Sequence, residues 1–150
     1  VLPPRIKWKK QARPPQKAWT KNRPEEQPKP DEGLTGYVQG QDASALEERF
    51  ARSMDKNQRI QWYDFQKSYV APPGVAGEKT LDFLVGAGLI YPIQIDGDWI
   101  HKSASARAQD RDSDAEIDQI LQGSAQLVKR IGGHELETQE MSDRLVEELF

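Results

Sequence analysis

An acid stands inside a strand that is otherwise fit for burial: Thr80-Leu-Asp82-Phe-Leu-Val85 carries Asp82 between Leu81 and Phe83. A carboxylate there costs stability unless it is paired or holds a metal ion, so Asp82 is the first candidate for chemistry. Glu47 is a second, although it also fits the third position of a capping box, Ser44-Ala-Leu-Glu47. Asp96-Gly97 is an acid that good turn chemistry accounts for equally well. Asp110, Asp112 and Asp114 form an acidic run of the kind usually found on a solvated face or as helix-start charge. The chain has no cysteine, and its two histidines are His101 and His134. Thiolate and histidine-rich zinc sites are therefore excluded, and a catalytic metal has to be a hard ion such as Mg²⁺ held by oxygen donors.

The elements that must position these residues follow from periodicity. Leu46, Phe50 and Met54 lie at helical spacing, which predicts a first helix near 44 to 54. Ile60 to Phe65 reads as an aromatic strand. After Pro72-Pro73-Gly74, residues 80 to 85 and 89 to 95 read as a hairpin of two largely buried strands turning through Gly86-Ala-Gly88, with Asp96-Gly97 closing it. A second capping box, Ser113-Asp-Ala-Glu116, opens a helix over about 114 to 122 that residues 102 to 112 could extend and Gly123 ends. Residues 126 to 131 form a further strand. Met141, Leu145, Val146 and Leu149 mark a closing amphipathic helix.

The order is helix, three strands, helix, strand, helix, an α/β (α+β) domain over residues 34 to 150, with enough chain for a single core and no room for a second domain. With its residues so placed it resembles the PD-(D/E)XK nuclease superfamily, in particular the small branch similar to very-short-patch-repair endonucleases, over about residues 44 to 149. The carriers are Ser-Ala-Leu-Glu47-Glu-Arg-Phe, Leu-Asp82-Phe, Gln94-Ile-Asp96-Gly97-Asp-Trp-Ile-His101 and Asp114-Ala-Glu-Ile-Asp118-Gln-Ile-Leu121. The resemblance implies a restriction-endonuclease-like core and a metal-dependent endonuclease acting on DNA. It makes Asp82 the principal Mg²⁺ ligand, Gln94 the second position, Glu47 the helical assistant, and His101 a general acid or base, although a lone histidine is more often structural. Three positions depart from the family's pattern. Gln94 replaces an acid, Asp96 stands where lysine is common, and Ile117 falls where the small branch often has arginine.

Residues 1 to 33 read differently. Prolines at 3, 4, 14, 15, 24, 28 and 30 deny the segment regular helix or sheet bonding, which predicts an extended arm. Residues 1 to 30 carry nine Lys/Arg against Glu25 and Glu26, a net of +7, whereas the rest holds 12 basic and 22 acidic residues, a net of −10. A basic arm on an acidic body points to nucleic acid or an acidic protein surface as the arm's partner. Trp8 and Trp19 each follow a proline pair by four residues, an eleven-residue offset that spans roughly 34 Å of extended chain. With Lys7, Lys9, Lys10, Arg13 and Lys17 they are the candidate partner-binding residues, although proline-rich sequence also produces such pairs by chance. The alternative function is thus a catalytically inactive nuclease-fold adaptor in a large assembly such as a phage particle, anchored by its arm. The chain begins at Val1 with no apolar signal segment and no membrane-length apolar run, which suits a cytoplasmic or virion protein, processed or continued upstream.

Overall fold

A computed structural model describes residues 8–10, 32–70, 78–97 and 99–150. Its centre is a mixed sheet. Strands β4 (Trp62–Val70), β5 (Glu78–Ala87) and β6 (Leu89–Asp96) form an antiparallel meander, and β7 (Lys129–Gly132) joins β6 in parallel. A short strand, β1 (Trp8–Lys10), lies antiparallel on the outer edge of β4, giving the order β1-β4-β5-β6-β7. Helix α1 (Ala45–Lys56) precedes the meander, α2 (Ala104–Ile120) makes the crossover from β6 to β7, and α3 (Gln139–Leu149) closes the chain. A separate two-stranded hairpin, β2 (Tyr37–Val38) with β3 (Gln41–Asp42), leads into α1.

The sheet has an apolar layer on each face. One core gathers Phe50 and Met54 of α1, Phe65, Phe83, Val85, Ile93 and Ile131 of the sheet, and Val146 of α3. Phe83 is its hub, with ring centroids 5.2 Å from Phe50 and 4.9 Å from Phe65, separations at which tilted aromatic pairs attract. The second core is smaller and joins Leu81 and Leu84 of β5 to Ile117 and Leu121 at the end of α2. Ile117, the position at which the nuclease resemblance expects arginine, is therefore a core residue.

Each helix starts where a side chain can satisfy its open N–H groups. Ser44 caps α1 in a reciprocal box with Glu47, as the sequence predicts. The possible extension of α2 through residues 102 to 112 is realised from Ala104, where Ser103 accepts from the Ala106 N–H, and the capping box expected at Ser113 and Glu116 is corrected, since both lie inside the helix. Strand β4 begins two residues later than expected and runs five further, because residues 67 to 70 find partners on β5. β7 begins three residues late, at Lys129: the Val128 N–H is taken by Asp118 Oδ1 at 2.6 Å and Leu127 is exposed. The 1 to 33 segment also departs from expectation at two points, since Trp8–Lys10 is hydrogen-bonded sheet and Glu32 pairs with the domain.

Candidate functional site at the sheet fork

Strands β5 and β6 are paired from Ala87↔Leu89 to Phe83↔Ile93, and there the ladder stops. Beyond that point β6 is held by β7, from Ile93↔Lys129 to Asp96↔Gly132, while the first part of β5 stays with β4. The two strands part at Asp82 and Gln94. Side chains take over the missing main-chain bonds: the Asp82 N–H donates to Gln94 Oε1 at 3.1 Å, and the Ile95 N–H donates to Asp82 Oδ2 at 2.7 Å. Gln94 Nε2 donates to the Thr80 carbonyl at 3.0 Å. Polar backbone opened by the fork is thereby satisfied without water.

Gln66 of β4 faces the same point. It stands opposite Asp82, between the Phe65↔Phe83 and Lys67↔Leu81 pairs, and is 1% exposed. Its amide nitrogen donates to Asp82 Oδ1 and to Glu47 Oε2, each at 3.1 Å. The residue holds φ +56°, a left-handed conformation uncommon outside glycine, and such strained residues concentrate at functional sites. Glu47 divides its carboxylate between two tasks. Oε1 accepts the Ser44 N–H of the capping box at 2.9 Å, while Oε2 turns inward to Gln66. One oxygen of Glu47 thus serves the cap, and the other faces Gln66 at the fork.

Glu47, Asp82 and Gln94, three of the residues singled out in the sequence, therefore meet at the fork, with the unanticipated Gln66 between two of them. His101 does not join them. It lies exposed on the single turn Trp99–His101 after β6, and among the described residues no hydrogen bond or ion pair links it to the group. Nor, among the described residues, do three or more His, Asp or Glu side chains gather into a metal-binding group. Of the expected partner-binding residues, Trp8, Lys9 and Lys10 form β1, whereas Lys7, Arg13, Lys17 and Trp19 lie outside the described residues.

Beside the fork is an ion network. Asp96, 5% exposed at the end of β6, meets Lys102 Nζ at 2.7 Å and lies 3.7 Å from Arg130 of β7. Lys102 also bonds Asp110, and Arg130 grips Asp114 through two bonds of 3.0 and 2.7 Å. Asp96 is thus more than a turn residue, and Asp110 and Asp114 are ion-paired where a solvated run was expected. Burial works to lower the Lys102 ammonium, but its bonds to Asp110 and Asp96 outweigh it and hold its pKa above 10.5. Lys102 is accordingly a fixed cation rather than a proton acceptor. A groove of about 390 Å³ between Asp55, Ile60, Trp62 and Tyr63 contains none of the residues expected to do chemistry. There the Tyr63 hydroxyl donates to Asp55 at 2.9 Å, and burial followed by that bond raises its pKa.

Compared with models of known protein families, with curated proteins and with solved structures, the chain matches none.

Proposed function

We propose that the domain is a divalent-cation-dependent endonuclease-type domain acting on DNA phosphodiesters, with its centre at the sheet fork. The observation that carries the reading is the convergence of Glu47 and Asp82 on one hydrogen-bond donor, 3.1 Å from each, where the strands part. The donor set fits magnesium, which is commonly held by one or two carboxylates and keeps several waters. Asp82 is the principal ligand in this reading, with Glu47 and the Gln94 amide oxygen beside it. When bound, the ion supplies a more acidic water and stabilises charge on the phosphate. The chain's own residues orient the donors: the Ile95 N–H fixes one Asp82 oxygen, and the capping box fixes Glu47. The resemblance assigns proton transfer to His101, which the fold leaves exposed and outside the group at the fork. The basic residues of the 1 to 33 segment supply attraction to phosphates that a body of net charge −10 lacks.

A second reading is favoured by Gln94. Both ends of its amide are spent on β5 backbone, to the Asp82 N–H and the Thr80 carbonyl, and it brings no charge. That is the behaviour of a structural clamp, and it suits a nuclease-like scaffold that has given up catalysis to serve as an adaptor in an assembly such as a phage particle.

Calorimetry of the full chain with Mn²⁺, comparing the wild type with Asp82→Ala, separates the two. The nuclease reading expects binding at or below millimolar metal, lost in the variant, together with Mg²⁺- or Mn²⁺-dependent nicking of DNA that the variant also lacks. A wild-type chain that neither binds nor nicks leaves the scaffold reading.

A further inference from the structure

The outer edge of β4 is covered in two parts by different means. Along residues 63 to 65 a side chain does the work of a strand: Gln39 Nε2 donates to the Tyr63 carbonyl at 2.7 Å, and its Oε1 accepts the Phe65 N–H at 2.8 Å. Gln41 adds a bond to the Phe65 carbonyl at 3.1 Å. Along residues 67 to 69 the cover is β1, through Trp8↔Tyr69, Lys9↔Ser68 and Lys10↔Lys67. Continuing β1 in register would set Ala12 opposite Phe65 and Pro14 opposite Tyr63, where the glutamines already occupy the edge and where Pro14 lacks an N–H. The slot for β1 is therefore a short length of open edge that recognises backbone.

We propose that β1 is an exchangeable strand, which seats on the β4 edge of a second copy of this chain. Three features support the second copy as occupant. An open edge accepts any matching strand, and swapping an identical element between copies recreates the same bonds at little cost. Residues 11 to 31, between Lys10 and Glu32, have a contour of roughly 70 Å at about 3.3 Å per residue, against a diameter of roughly 35 Å for a 117-residue domain. Five prolines in that stretch restrict the conformations that would return the strand to its own domain. The charge also matches, because a segment of net +7 on one copy meets a body of net −10 on the next. The proposal is independent of any chemistry at Asp82.

The absence of cysteine makes the test clean. Lys9 and Ser68 are directly opposed, so cysteines at these two positions lie within disulfide reach when β1 is seated. One full-length chain carries Lys9→Cys and another Ser68→Cys, and the two are mixed and oxidised at tens of micromolar. The expected product is a covalent pair of twice 17.0 kDa, with positions 9 and 68 joined in the cross-linked peptide and a yield that rises with concentration. Lys9→Cys mixed with a chain carrying Gln58→Cys, an exposed position off the edge, forms no such product. The Lys9→Cys/Ser68→Cys double variant reports pairing within one chain. A bond in the double variant with none in the mixture overturns exchange, and absence of the bond in both overturns the β1 seat itself.

Discussion

Gln94 stands in for a strand at Thr80 and Asp82: its Oε1 accepts the Asp82 N–H at 3.1 Å while its Nε2 donates to the Thr80 carbonyl at 3.0 Å. The amide carries an acceptor and a donor side by side, so it can give and take along a β edge. Replacing it with a carboxylate keeps the acceptor, removes the donor and adds charge beside Asp82 and Glu47. The Gln94→Glu variant is therefore expected to lose about 1 to 3 kcal/mol of stability in chemical denaturation. Its affinity for Mn²⁺ by calorimetry is expected to rise at least tenfold, because a hard cation gains a charged ligand. Unchanged affinity would place Gln94 outside any metal-facing group and leave it as a clamp.

Arg49 is fully buried in α1, and its guanidinium is held by both oxygens of Glu32 at 2.7 and 3.0 Å and by the Leu136 carbonyl at 3.0 Å. Breaking such a pair from one side leaves an uncompensated buried charge and commonly costs about 3 to 5 kcal/mol. Glu32→Ala in the full chain is expected to lower the unfolding free energy by about 3 kcal/mol, measured in urea. A chain beginning at residue 34 is expected to show a similar loss, whereas one beginning at residue 32 keeps the pair. Equal stability of the chains beginning at 32 and 34 would refute the structural role given to Glu32. It would also agree with the boundary at 33 that composition suggests.

What the sequence discloses and what it hides follow from range. Helix α1 and the β5–β6 hairpin are legible because their signals are local: the Ser44–Glu47 box, the apolar spacing of Leu46, Phe50 and Met54, and glycines around the turn. Asp82 is legible because an acid between Leu81 and Phe83 violates a local pattern. Gln66 is not, since an uncharged residue in a strand carries no mark of its left-handed backbone or of carboxylates from two other elements. The same holds for Asp110 and Asp114, whose partners Lys102 and Arg130 are 8 and 16 residues away. β1 is hidden by its proline-rich surroundings, because composition describes the whole segment and not the three residues that reach the edge.

The contact between α1 and α3 gives the domain a titration of known sign. Asp143 accepts from Ser53 at 2.6 Å, from Lys56 Nζ at 2.7 Å and from Gln139 at 3.0 Å. Burial pushes its carboxyl upward, but the bonds from Lys56, Ser53 and Gln139 and the Lys56 charge outweigh it, leaving the pKa below 3.8. A carboxyl depressed in the folded state contributes stability that is present above 3.8 and lost as the pH falls through the folded value. The side chain is 40% exposed and that of Lys56 57%, so solvent screening holds the charge contribution under about 1 kcal/mol. Thermal unfolding of the wild type and of Asp143→Asn between pH 2 and 7 tests this. The variant is expected to be the less stable at pH 7, and the gap is expected to close below 3.8, where the wild-type carboxylate takes up its proton. A gap independent of pH would assign the loss to the altered hydrogen bonds with Ser53 and Gln139, and the Lys56 pair would then contribute nothing measurable to joining the helices.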